Sequence, residues 1–165
     1  MTFNCDNLIE ALRDELQEHG GLLGLFDEQQ KAILDRKPEV VLAIQESILL
    51  QVTTINQCRK HREQIAAEFA VATGQQPDSP LRVLIEGAAE VVRPLLNALI
   101  DEVNQLISRT RRRGQQNQML LARSIDISQR LLQKLNPGAI TKTYSRRGRI
   151  NLSKGGVGSR YLARS

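Results

Sequence analysis

QQNQMLLARSIDISQRLLQKLN, residues 115–136, is the stretch whose reading decides the fold. Its spacing is helical, it holds nine apolar residues among twenty-two, and the remainder of the chain leaves them no partner. The large ones are Met119, Leu120, Leu121, Ile125, Ile127, Leu131, Leu132 and Leu135. Each contributes roughly 1.5–3 kcal/mol when fully buried, so an exposed set of this breadth marks a face for a partner or for self-association. The alternative is intramolecular, with a bend at Arg113-Gly114 laying the segment back on the chain.

Read backwards, the segment ends a longer stripe. Leu81, Ile85, Ala88, Val92, Leu96, Leu99, Val103 and Leu106 sit at helical spacing, continued by Thr110, Gly114, Asn117, Leu121, Ile125, Ser128, Leu132 and Leu135. The pattern predicts a third helix capped by Ser79, opened by Pro80, kinked at Pro94, and stopped by Asn136-Pro137-Gly138. Before it, Thr73–Ser79 reads as a loop. A second helix from Pro38 to about Ala72 buries Val41, Ile44, Ile48, Val52, Ile55, Ile65 and Phe69, with Cys58 and Arg62 between. A first helix, capped by Asn4 or Asp6, runs to about Arg36 along Leu8, Leu12, Leu16, His19, Leu23, Phe26 and Ile33. Gly20, Gly21 and Gly24 within it open two readings, a kink or, at Gly24, close contact between helices.

Length then separates frame from overhang. At 1.5 Å per residue the second helix is roughly 52 Å long and a continuous third helix about 85 Å. Antiparallel pairing puts Phe69 near Ile85, Ile55 near Leu99 and Val41 near Arg113. About 33 Å of helix beyond Gly114 is left without a partner in the frame. The expected fold is all-α: an antiparallel bundle of long helices, with a three-helix frame whose third helix is extended or followed by a fourth. Residues 1–136 form the bundle domain, and 137–165 form a basic, glycine-rich tail that is too poor in large apolar residues to order itself.

Composition narrows the function classes. The chain has 3 % aromatic residues and no Trp, which suits helices packed through Leu, Ile, Val and Ala. Its net charge of +5 is segregated. Residues 1–136 hold 16 basic and 18 acidic side chains, whereas 137–165 hold seven basic and no acidic ones. Arg109, Arg111, Arg112 and Arg113 point in nearly all directions around a helix, so they form no single basic face. Asp27, Glu28, Asp35, Glu39 and Glu46 lie at about their level as ion-pair partners. With no zinc spacing and no aromatic residues interleaved for base stacking, nucleic acid is not the favoured partner. Cys5 and Cys58 have no CxxC spacing and read as free thiols; His19 and His61 belong to no metal motif. Lys154–Ser159 lacks the strand and helix of a phosphate loop. No nucleophile–base pair or carboxylate pair suggests an enzyme. No apolar run spans a membrane and no signal pattern opens the chain, so a cytoplasmic location is expected. No cofactor or metal is expected.

Three pieces of the chain resemble the FlgN family of bacterial flagellar export chaperones. LFDEQQKAILDRKPEVVLAIQESILLQVTTINQCRKHREQI, residues 25–65, is similar to the family's helical hairpin. QNQMLLARSIDISQRLLQKL, residues 116–135, is similar to its segment of an Asn followed by paired leucines, a Ser and a second leucine pair. TKTYSRRGRINLSKGGVGSRYLARS, residues 141–165, resembles its Thr-Tyr, glycine-rich and Arg-x-Leu ending. The family often carries an Asn-rich stretch before the paired leucines, where this chain has Arg111-Arg112-Arg113-Gly114, which leaves both a bend and a continuous helix open at that point.

The resemblance implies a type III export chaperone for the hook-associated proteins of the hook–filament junction. It would bind them through its C-terminal region, hold them unassembled in the cytoplasm and deliver them to the export gate, whose components extend the partner set. Carried over, the partner-binding residues are Leu120, Leu121, Ile125, Leu131 and Leu132, supported by Tyr144 and the tail. Asn117 from the matched segment, with Ile127 and Leu135 from the apolar set, completes the group. The competing readings are a protein that binds nucleic acid or an acidic partner through the basic tail, and a structural coiled-coil dimer or adaptor.

Overall fold

The computed structural model describes residues 5–135 of the chain. Asn4, the Asn136-Pro137-Gly138 stop, Tyr144 and the basic tail lie outside the described residues. The described chain is all-α, as the periodicity predicts: α1 (Asp6–Leu34), α2 (Pro38–Ala72), α3 (Leu81–Ile85) and α4 (Arg93–Leu135). The described residues divide into two units after Ala122.

α1 and α2 end in the same way. At the end of α1, the backbone N–H of Lys37 donates to Ala32 O at 3.0 Å and that of Arg36 to Ile33 O at 3.1 Å. At the end of α2, Gln75 N–H donates to Ala70 O at 2.8 Å and Gly74 N–H to Val71 O at 3.2 Å. Both are Schellman closures, which need a left-handed residue after the helix. Gly74 supplies it at φ 70°, and Arg36 supplies it at φ 56° in spite of its Cβ. Pro38 then opens α2 at its first helical position, where its missing N–H leaves nothing unsatisfied.

The predicted third helix is broken. α3 is five residues long, and α4 starts only at Arg93, so Pro94 sits in a first turn and not mid-helix. A helix running through Pro94 would lose one hydrogen bond and drive the ring into the carbonyl four residues back. The chain turns instead through Glu86–Val92. Three-residue turns are closed there by Gly87 N–H to Leu84 O at 3.0 Å and Ala88 N–H to Ile85 O at 2.9 Å, and Arg93 Nε caps Ala88 O at 2.8 Å. Ser79 does not cap α3, whose preceding residue is Pro80. At Gly87 a Cβ would come within 3.1 Å of Thr73 Cβ, so the turn is seated on the end of α2.

Within the first unit, the N-terminal halves of α1 and α4 meet the C-terminal half of α2, so α1 and α4 run the same way and α2 runs against both. The main core joins all four helices: Leu8 and Leu12 from α1, Ile65 and Phe69 from α2, Leu84 and Ile85 from α3, and Leu96, Leu99 and Val103 from α4. Phe69 and Ile85 share this core as expected. Ile55 does not join Leu99 in it. It lies in a smaller cluster with Leu22 and Ile48, walled by Leu25, Phe26 and Ile44. The turn at 86–92 takes residues out of helical rise and so shifts α4 relative to the register expected for one unbroken helix.

α1 runs unbroken through its glycines. Gly24 faces open space, while Gly21 is the glycine under close approach, a Cβ there meeting Gln51 Nε2 at 3.2 Å. Gln51 uses that proximity to donate to the Glu18 carbonyl at 2.9 Å. The buried line of α1 is Leu8, Leu12, Glu15, His19, Leu22, Gln29 and Ile33, with Leu16, Leu23 and Phe26 half-buried. On α2, Val52 is exposed, and Val41 and Ile44 are half-buried.

Candidate partner-binding surface

The inward face of α4 changes chemistry along its length. Leu96, Leu99, Ile100 and Val103 are apolar and buried; the next buried positions are Thr110 and Asn117. Thr110 turns its hydroxyl onto its own helix, donating to Leu106 O at 2.8 Å. Asn117, 1 % exposed, donates from Nδ2 to Phe26 O at 2.7 Å and to Gln29 Oε1 at 3.0 Å. Gln29 donates onward to Gln45 Oε1 at 3.0 Å, so one chain of amides crosses α4, α1 and α2. Between these levels Gly114 lies against the Phe26 ring, where a Cβ would come within 3.1 Å of Cζ. Arg113 pairs with Asp27 at 2.6 Å and donates to Gln30 Oε1 at 2.9 Å. That is the local ion pairing expected, for one of the four arginines, while Arg109, Arg111 and Arg112 are exposed; Arg113 meets α1 and not Val41.

The proposed partner-binding residues are thereby divided. Asn117 faces inward, because its amide is held by α1; it is not a surface group. Leu120 and Leu121, on the last turns of the first unit, are half-buried, and Met119 is exposed. In the second unit Ile125, Ile127, Leu131 and Leu132 are each 54–56 % exposed and Leu135 is 82 % exposed. At about 100° per residue, these five span an arc of about 160°, interrupted only by Ser124 and Ser128. The opposite arc carries Arg123, Asp126, Gln129, Arg130, Gln133 and Lys134, with Arg130 and Asp126 paired at 3.0 Å. The end of α4 is therefore amphipathic, apolar on one side and polar or charged on the other. Tyr144 lies outside the described residues.

Two polar groups inside the bundle were not anticipated. Glu15, 2 % exposed, receives Arg62 Nε at 2.6 Å across the α1–α2 seam. Gln29 is the hub of the amide chain. Both sit on apolar stripes at spacings of three and four (Leu12, Glu15, His19, Leu22; Phe26, Gln29, Ile33), and a polar residue on such a stripe is the available signal. Burial lowers the pKa of His19, the nearby Glu15 carboxylate opposing it. Burial first, and then the charges of Glu18, Asp14 and Glu15, push the Cys58 thiol up. Both cysteines are free and half-buried.

Among the described residues no cluster of His, Cys, Asp and Glu could hold a metal ion, and no helix is long and apolar enough to cross a membrane. A shallow cleft of about 450 Å³ between α1 and α2, lined by residues that include Glu10, Asp14, His61 and Glu68, contains no hydroxyl or thiol nucleophile.

No curated protein and no solved structure matches the chain. A family model described as FlgN protein matches residues 1–151, which takes in both the bundle and the amphipathic end of α4. The chain belongs to the FlgN family, a family of flagellar export chaperones and not of enzymes.

Proposed function

We propose that this chaperone acts in the cytoplasm on the hook-associated proteins of the hook–filament junction. It holds them unassembled and hands them to the export gate. The observation that carries the reading is the arc of Ile125, Ile127, Leu131, Leu132 and Leu135, each more than half exposed, on a helix whose other side is charged. Leu120 and Leu121 contribute where their half-buried side chains remain accessible, with Tyr144 and the basic tail in support.

The mechanism needs neither nucleotide nor metal. Proteins that polymerise through amphipathic helices expose an apolar stripe before assembly, and a helix with a matching stripe covers it in the helix-in-groove manner. Burying five large side chains contributes a gross 8–15 kcal/mol, about 1.5–3 each. Most of that is offset by lost rigid-body freedom and side-chain ordering. The resulting moderate affinity suits a chaperone that must release its cargo. Seven basic and no acidic residues in 137–165 would speed encounter with an acidic partner in a salt-dependent way.

The test is co-purification from a flagellated host of the full chain beside a version ending at Ala122. That end retains Asn117, Gly114 and Arg113, all of which α1 holds. Loss of the hook-associated proteins from the shortened chain, with its helical signal kept, is the expected result. Undiminished capture by residues 1–122 overturns the reading.

A further inference from the structure

The main core holds the first part of α4 by apolar side chains, and that hold ends at Ile107. Leu96, Leu99, Ile100 and Val103 are buried there, and Ile107 packs partly against the same core. From residue 108 to the end of the first unit at Ala122, the buried side chains are Thr110 and Asn117, both polar. Leu120 and Leu121 are half-buried. Thr110 uses its hydroxyl on its own helix, donating to Leu106 O. Gly114 brings no side chain to the seam, and a glycine inside a helix weakens it because more backbone freedom is lost on ordering.

The polar contacts that join this stretch to α1 form a single clasp. Arg113 pairs with Asp27 and donates to Gln30, and Asn117 donates to Phe26 O and to Gln29. All four acceptors lie within residues 26–30, little more than one turn of α1. Each half of the clasp exchanges readily for water. The Arg113 side chain is 35 % exposed and that of Asp27 51 %, so water competes for both and the pair adds little. Asn117 Oδ1 has no partner while the clasp is closed, and water satisfies it once the clasp is open, which lowers the cost of opening. A segment with few buried apolar contacts opens at a free energy below that of global unfolding.

We propose that residues 108–122 of α4 form a strap that releases from α1 as a unit while the main core, from Leu96 to Ile107, stays packed. Release bares the edge of the Phe26 ring that Gly114 covers, and with it Leu120 and Leu121. α1 and α2 stay joined at that level by Leu22, Ile48 and Ile55, with Leu25, Phe26 and Ile44 around them, a cluster that takes no member from α4. The hairpin therefore does not have to unfold for the strap to leave it. The release is a property of the free chain and does not rest on the cargo reading.

Thiol labelling of the full chain tests it. Thr110→Cys places a probe under the strap and Val103→Cys one in the main core, and peptide mass mapping separates both from Cys5 and Cys58. Thr110 and Val103 are equally buried, at 5 % and 6 % exposed, so a difference in labelling reports opening and not static access. Without denaturant, Thr110→Cys should be alkylated at least about tenfold faster than Val103→Cys, a difference equivalent to one buried apolar side chain. Its rate should barely change in low urea, since opening the strap exposes little surface, whereas the rate at Val103→Cys should climb steeply. Asp27→Ala should speed the strap probe about fivefold, the ceiling for an exposed ion pair, and leave the core probe unchanged. Hydrogen exchange on the wild-type chain makes the same comparison without a probe: amides of residues 109–121 should be less protected than those of 97–105, since a helix stripped of its packing is marginal in water. Equal labelling of the two probes with one urea dependence overturns the proposal. So does an Asp27→Ala variant that speeds both probes alike, or uniform exchange protection across the two stretches.

Discussion

The side-chain amide of Asn117 on α4 donates to the side-chain carbonyl of Gln29 on α1 at 3.0 Å, at a level where both residues are at most 3 % exposed. Leucine at these two positions would pack with less demand on geometry. A buried amide pair accepts few alternatives, because any slip of α4 along α1 leaves polar atoms closed off from water. Asn117 Oδ1 already has no partner, so the contact favours register over strength. Replacing Asn117 with Ala removes two hydrogen bonds and strands Gln29 Oε1, for an expected loss of about 1–3 kcal/mol in urea unfolding. The same variant should bind cargo as the wild type does once folded, since the residue faces inward. A binding defect without a stability defect would return Asn117 to the partner surface.

How far the sequence reaches is plain from such positions. α2 spans Pro38–Ala72 as the proline and the apolar period predict, and α1 ends within two residues of its expected limit, because these boundaries are local chemistry. The break between α3 and α4 was hidden, because Leu81, Ile85, Ala88, Val92 and Leu96 keep helical spacing whether or not the hydrogen bonds between them form. Likewise, three glycines on α1 look alike until Gln51 is seen to lie over Gly21 and not Gly24. Asn117 was visible as a polar break in an apolar stripe, but its meaning depended on Gln29, 88 residues away.

Arg36 closes α1 from the left-handed region at φ 56°, where a Cβ is disfavoured by roughly 1–2 kcal/mol. Gly74 performs the same task on α2 without that strain. Arg36→Gly should therefore raise the stability of the bundle by about 0.5–1 kcal/mol, the relief being partly offset by the larger freedom of glycine in the unfolded chain. Thermal unfolding measures it, and a lowered midpoint would show that the arginine side chain contributes more than its backbone loses.

His19 is 9 % exposed and its Nδ1 has no partner, so the folded chain holds it neutral with a pKa below the ordinary 6.5. Below pH 6.5 the unfolded chain takes up a proton that the folded one refuses. The contribution of this residue is therefore complete above pH 6.5 and is lost as pH falls through the lowered folded value. Urea midpoints measured between pH 7.5 and 5 should decline more steeply for the wild type than for His19→Leu. Equal slopes would assign the acid sensitivity to carboxylates elsewhere.

Cys58 is half-buried on α2, and both burial and the carboxylates of Glu18, Asp14 and Glu15 disfavour its thiolate. Since the thiolate is the reactive form, alkylation by iodoacetamide at pH 7.5 should be slower for Cys58 than for a free cysteine, and urea should abolish the difference. Peptide mass mapping over a time course reads this directly. Rapid labelling of Cys58 in the folded protein would contradict it.

Ile125 and Leu132 are seven residues apart on one line of the α4 arc, and both are more than half exposed. Ile125→Asp with Leu132→Asp places two charges at the middle of the proposed cargo face, where a hydrophobic interface would have to desolvate them. The thermal midpoint should change little, because neither side chain is buried in the bundle, while capture of the hook-associated proteins should fall at least about a hundredfold, two contacts at roughly 1.4 kcal/mol each. Gln129→Asp with Gln133→Asp adds the same charge to the same stretch on the opposite arc without touching the apolar one, and it controls for net charge. Equal losses from both pairs would mean that long-range repulsion acts on the complex. A loss confined to Ile125 and Leu132 would mean that the apolar arc itself is what the cargo covers.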